Sequence, residues 1–284
     1  MSKNSYNRRM FLKVFGIGVA SIGVPSYAAV EGGSSKRQEF TFAQVCDTQF
    51  GMGGYEHDLK TFKQAIVQIN ALKTDLVVIC GDLVGRPNEK SIADFNRIKA
   101  ELKVPCYCVP GNHDVGNKPS LKSLQNYRKA VGKDYYSFEH KGYMFVCVNT
   151  QLWKSPVDGE SEKQEAWLKA TLESTAKRGV PIFIVGHHPL YTGQPDEKEA
   201  YSNLPPAKRK VLLDLFEKHG VVSMLSGHAH RIIINDYKGI QLVTGQATSR
   251  THGSPLGFRL WHITGESPFK HESVPLEGYQ KIKK

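Results

Sequence analysis

No acidic residue precedes Glu31, whereas Lys3, Arg8, Arg9 and Lys13 put four positive charges in the first 13 residues. The apolar run that follows, residues 14–24, is about 11 residues long, too short to span a bilayer. A basic end, a short apolar run and small residues at Ser26 and Ala28 have the layout of a secretory signal over residues 1–28, with a Gly- and Ser-containing linker at 29–39. Arg8-Arg9 ahead of Phe11-Leu12-Lys13 resembles the twin-arginine export consensus, with Asn7 where Ser or Thr is usual. No cysteine stands at the cleavage position, which argues against a lipoprotein. A periplasmic or otherwise exported protein without a stable membrane anchor is expected.

Cysteine is sparse and unpatterned. The five (Cys46, Cys80, Cys106, Cys108, Cys147) are odd in number and fit no zinc-knuckle or disulfide-framework spacing. Each lies in or at the end of an apolar run, as small core residues do. Internal repeats are absent. No nucleic-acid-binding motif accompanies the net charge of +11, so nucleic acid is not an expected partner. Setting aside the four leader charges leaves a body near +7, which suits an anionic or phosphorylated substrate and equally suits plain solubility. A chain of 284 residues that is 40% hydrophobic can bury a core without covalent staples.

From Phe40 onward, apolar runs alternate with amphipathic stretches. Strands are predicted at 40–46, 76–80, 105–109, 182–185 and 221–225, and helices at 58–72, 91–102, 121–131, 161–177 and 207–219. Lys141-Gly142 separates two alternating runs and reads as a hairpin turn. Three more strands are predicted at 231–237, 240–244 and 258–263. Residues 189–206 carry four prolines and little periodicity, a long loop of the kind that overhangs sites, as does the Gly-rich segment 50–57. This order predicts two packed sheets flanked by helices, a four-layer α-β-β-α sandwich filling residues 40–284.

The chemistry gathers where strands end. Asp47, Gly81-Asp82, Gly111-Asn112-His113-Asp114, Gly186-His187-His188-Pro189 and Gly227-His228-Ala229-His230 each follow a predicted strand. Ligands of open α/β sheets bind beyond the carboxyl ends of strands. Imidazoles mixed with carboxylates suit Fe, Mn or Zn better than calcium. One carboxylate can bridge two ions, and two ions about 3.5–4 Å apart can clamp a phosphoryl group. The preceding glycines are expected to permit sharp turns.

Taken together, these motifs resemble the calcineurin-like metallophosphoesterase superfamily, whose pattern runs Asp-x-His, Gly-Asp, Gly-Asn-His-Asp/Glu, His, Gly-x-His. The match spans roughly residues 40 to 265 and departs at Gln49, where most members carry histidine. Asp47-Thr48-Gln49-Phe50-Gly51 and Cys80-Gly81-Asp82-Leu83-Val84 resemble the branch of calcineurin-like phosphoesterase-domain proteins described as serine/threonine phosphatases. The resemblance implies two divalent or trivalent metal ions (Mn, Fe, Mg or Zn). Asp47, Gln49, Asp82 and His230 would hold the first, and Asn112, His187, His228 and the bridging Asp82 the second. It further implies attack by a hydroxide held between the ions, with His113 as general acid and Asp114 orienting its ring. The neutral oxygen of Gln49 hardens the first site and favours Mn or Fe over Zn. Asn112 is also a substrate contact. Arg231 either holds a phosphate oxygen or makes a surface salt bridge, and His188 either touches substrate or packs. The activities implied are a phosphomonoesterase acting on a phosphorylated small molecule or phosphoprotein, or a phosphodiesterase for nucleotides or lipid head groups. The non-enzymatic alternative is a metal-binding protein.

Overall fold

The computed structural model describes residues 37–250, 252–265 and 267–279. The expected signal peptide (1–28) and most of the linker lie outside the described residues. The elements in chain order are β1 (Phe40–Val45), α1 (Tyr55–Leu72), β2 (Leu76–Cys80), α2 (Glu89–Lys99), β3 (Cys106–Val109), α3 (Asn112–Val115) and α4 (Leu121–Ala130). They continue as β4 (Tyr136–His140), β5 (Tyr143–Cys147), α5 (Gln151–Lys154), α6 (Glu160–Lys177), β6 (Ile182–Val185), α7 (Pro206–Lys218) and β7 (Val221–Ser226). The chain closes with β8 (Ile233–Tyr237), β9 (Ile240–Thr244), β10 (Gly257–Ile263) and β11 (Lys270–Pro275).

Two mixed sheets result, in the orders β11-β10-β1-β2-β3 and β4-β5-β6-β7-β9-β8. The first has β1, β2 and β3 parallel, and the second has β5, β6, β7 and β9 parallel. Strands such as Leu76–Cys80 and Ile182–Val185 read as unbroken apolar runs because both faces are covered. Between the sheets lies an aromatic layer. Phe42 stacks on Trp261 with centroids 5.5 Å apart and meets the edges of Phe145 and Phe183. Phe62, Ile66, Phe95 and Leu124 of α1, α2 and α4 cover the outside of the first sheet, and Leu168, Leu172, Leu213 and Phe216 of α6 and α7 cover the second. The four-layer architecture is therefore the one predicted.

Two of the differences from the predicted elements concern β11 and α2. β11 was not predicted, because Lys-His-Glu-Ser-Val-Pro is an edge strand with little to bury. Helix α2 begins at Glu89 rather than at Ser91. Asn88 is its cap, accepting from the Ser91 amide, while the Ser91 hydroxyl accepts from the Asn88 amide in a reciprocal box. The five cysteines are unbridged, four of them buried and Cys106 partly so.

Candidate metal centre

The carboxyl ends of β1, β2, β3, β6 and β7 open onto one edge. Asp47 and Asp82 each lie two residues past their strand, Asn112 three past β3, and His187 and His228 two past β6 and β7. The turns themselves are tight. Asp47, Gln49, Asp82, His228 and His230 all have positive φ, between 37° and 68°, a conformation rare for non-glycine residues and concentrated at functional sites. The expected turn-making role of the glycines holds for Gly81, with φ 80°, and is corrected for Gly111. Gly111 has φ −105°, so it does not make the turn. It is needed for room, because a Cβ there would come within 2.1 Å of Asp82 Oδ1.

Around His187 Nε2 the donor atoms converge. Asn112 Oδ1 lies at 3.0 Å, His228 Nδ1 at 3.1 Å and Asp82 Oδ1 at 3.3 Å. Beside this cluster, His230 Nε2 is 3.5 Å from Asp47 Oδ1. Asp47, Asp82 and His230 have ligand atoms within 4.8 Å of one another, as do Asp82, His187 and His228. Asp82 is common to both groups.

Each imidazole is aimed by a main-chain carbonyl. His187 Nδ1 donates to Cys80 O (2.8 Å), His230 Nδ1 to Arg250 O (3.0 Å), His113 Nδ1 to Gly85 O (2.8 Å) and His228 Nε2 to Tyr201 O (3.1 Å). A carbonyl only accepts, so the bonded nitrogen carries the hydrogen and the other nitrogen faces the centre. This arrangement fixes the tautomers of ligating histidines.

The electrostatics fit a cation. Burial lowers the affinity of His187 for a proton, but the Asp82 carboxylate overrides it and pushes His187 up to about 10. Burial raises Asp82, yet His187 and His113 hold it below the usual carboxylate range. Burial and the neighbouring His187 bring His228 down to about 4, so its Nδ1 lone pair is free at neutral pH. Gln49 is 2% exposed, and its Nε2 donates to Asp82 Oδ2 at 2.7 Å. Its Oε1 is buried without a hydrogen-bond donor, a costly state that a cation removes. The residues present therefore fit two ions, one held by Asp82, Asn112, His187 and His228, the other by Asp47, Gln49, Asp82 and His230.

One expected role is corrected, and one that was left open is decided. Asp114 does not orient the His113 ring. Its carboxylate accepts from the amides of Leu83, Val84 and Gly111 at 2.8–3.2 Å, tying the β2 and β3 loops together. Burial, followed by the nearby Asp82 charge, pushes it up to about 7. Gly85 O is what aims His113. His188 does not reach substrate: it is 1% exposed, its ring packs against His228 at 4.1 Å, and its amide donates to Thr150 Oγ1.

Above the centre is a cavity of about 360 Å³, bordered by Gln49, Asp82, His113 and His230 within and by Arg231 at its mouth. The loop after β6 overhangs it, as its prolines suggested. Its Tyr201 hydroxyl accepts from Asn112 Nδ2 at 2.9 Å. The loop is pinned from below. The buried Arg209 donates to the carbonyls of Leu190, Pro195, Glu197 and Leu204, and the Glu197 carboxylate gathers the amides of Thr192, Gly193 and Gln194. Sequence reasoning missed Arg209, which reads as one more basic residue in a helix.

Comparison with known proteins agrees with this geometry. Residues 40–231 match the calcineurin-like phosphoesterase family. Human serine/threonine-protein phosphatase CPPED1 is 32% identical over 254 residues, covering 80% of this chain and 81% of that protein. A probable glycerophosphodiester phosphodiesterase, GpdQ, of Arcobacter nitrofigilis is 27% identical over 70% of this chain and 72% of its own. The crystal structure of a dimetal phosphatase from Danio rerio superposes with a TM-score of 0.63 at 16% identity, over 84% of this chain and 99% of that one. With the paired donor clusters, the fold and these likenesses in agreement, the chain belongs to the calcineurin-like phosphoesterase family and is a metal-dependent phosphoric ester hydrolase.

Proposed function

We propose that this hydrolase is a phosphomonoesterase with His113 as its general acid. The observation that carries the reading is the His113 ring. It is partly exposed at the cavity floor, fixed through Nδ1 by Gly85 O, with Nε2 4.0 Å from Asp82 Oδ2. Nε2 is thus free to give a proton to a departing alkoxide. The imidazoles around the centre favour the dianion of a monoester over the monoanion of a diester. Asn112 is held by Tyr201 at the edge of the centre, where its amide can meet a phosphoryl oxygen. When bound, the two ions supply Lewis acidity toward the phosphoryl oxygens and lower the pKa of water. The hard Gln49 oxygen supports Mn or Fe over Zn at the Asp47 side. The twin-arginine start supports export of the folded chain, which fractionation of cells would test by finding the protein outside the cytoplasm.

The name of the Arcobacter relative supports a second reading, a phosphodiesterase. Nitrophenyl phosphate and its bis-ester separate the two, since the proposal requires faster turnover of the monoester. For His113→Ala, losses of about 100-fold or more are expected on alkyl phosphates and under about tenfold on nitrophenyl phosphate, whose leaving group needs no proton. Equal losses on both classes would remove His113 from the acid role.

A further inference from the structure

The phosphoryl centre accounts for the floor of the cavity but not for its mouth. There Arg231 and Arg250, both exposed, border the same cavity. They stand at either side of one ligand: Arg231 follows His230 in the chain, and the Arg250 carbonyl holds the His230 ring. Among the described residues, neither guanidinium has a hydrogen-bond or carboxylate partner. Three other arginines meet carboxylates, whereas the exposed Arg37 and Arg86 do not. Arg97 meets Asp94, Arg128 meets Asp134 and Glu160, and Arg178 meets Glu139. Two unpaired guanidiniums bordering one cavity offer donors to a carboxylate or phosphate. The rest of the mouth is mixed, with Ser202 and His252 beside two less polar side chains. Met52, 37% exposed, and Tyr201, 61% exposed, border the cavity from separate loops and offer a thioether and an aromatic face to a ligand.

Resting on the monoesterase reading above, we propose that Arg231 and Arg250 form a second anion subsite, so that the preferred substrate is a small phosphomonoester with a second anionic group on an apolar body. The cavity volume of about 360 Å³ suits a ligand of roughly nucleotide size rather than a folded phosphoprotein surface. The transferred phosphoryl sits at the centre, the apolar body lies against Tyr201 and Met52, and the second anion reaches the two arginines.

The test uses a matched pair, phenyl phosphate and 3-carboxyphenyl phosphate, whose leaving groups are similar. The Mn²⁺-loaded protein is expected to show kcat/KM at least about tenfold higher for the carboxylated ester, and Arg231→Gln and Arg250→Gln to bring that ratio toward one. The ratio is the readout, whatever either variant does to the absolute rates. Equal losses on both esters would overturn the proposal, because the arginines would then be holding the transferred phosphoryl. An unchanged ratio would overturn it as well. Calorimetric binding of phenylphosphonate and 3-carboxyphenylphosphonate gives the same ratio without turnover. If the protein hydrolyses neither ester yet binds the carboxylated phosphonate more tightly in an arginine-dependent way, the monoesterase reading fails and the subsite stands. Tighter binding of an acidic phosphopeptide than of the small bis-anion would also overturn it.

Discussion

The two donor clusters share Asp82 but are built differently. On the His187 side, a second imidazole, an amide oxygen and a carboxylate crowd within 3.3 Å of His187 Nε2. On the Asp47 side there is one imidazole, and the spacing is looser, 3.5 Å between His230 Nε2 and Asp47 Oδ1. There Gln49 contributes a neutral oxygen where most relatives in the superfamily have a nitrogen. The lesson is that a single substitution makes a symmetric pair of sites unequal. The His187 side offers two imidazole nitrogens and the Asp47 side one, so the proposal expects the Asp47 side to be emptied first.

The largest effect comes from removing what the clusters share. Asp82→Asn keeps the shape but takes away the bridging charge. Both ions should be lost on dialysis, and turnover should fall on the order of 10³-fold, the scale of deleting a group that stabilises transition-state charge. Metal analysis showing one ion still bound would mean the clusters are independent.

Smaller and more selective is Gln49→His. An imidazole at that position restores the nitrogen, so affinity of the Asp47 side should rise about 10–100-fold with preference moving toward Zn. Calorimetric titration of the metal-free protein should show the weaker of two binding events strengthen while the tighter one stays put.

Least in size is the effect of pH on the metal-free chain. The folded value of His187, about 10, lies above its ordinary 6.5. The stability this contributes is fully present below pH 6.5 and is lost as pH rises through 10. The thermal midpoint of the metal-free protein should therefore decline by a few degrees between pH 7 and 10. Metal must displace the same proton, so its uptake should strengthen over that range. A midpoint that climbs across the window would show that His187 is neutral at pH 7.

Most of the frame was legible in the sequence, because buried parallel strands announce themselves as short apolar runs, and the ligand residues stand within a few positions of where those runs stop. What was hidden depends on long-range contact. Nothing near His113 in the chain says that Gly85, 28 residues earlier, will hold its ring. Asp114 sits beside it in sequence and turned out to serve the loops instead. His188 looked like His187, yet the bend that follows β6 sends one into the centre and the other against Thr150 and His228. The wrong reason assigned to Gly111 has the same origin, since crowding by Asp82 is a tertiary fact.

The most direct test of the unequal, Asp82-bridged pair is anomalous diffraction at the manganese edge from crystals soaked in limiting and then excess Mn²⁺. The account predicts one peak first, among Asp82, Asn112, His187 and His228, then a second among Asp47, Gln49, Asp82 and His230, about 3.5–4 Å away. A single peak at saturation, or two peaks with Asp82 bound to only one, would contradict it.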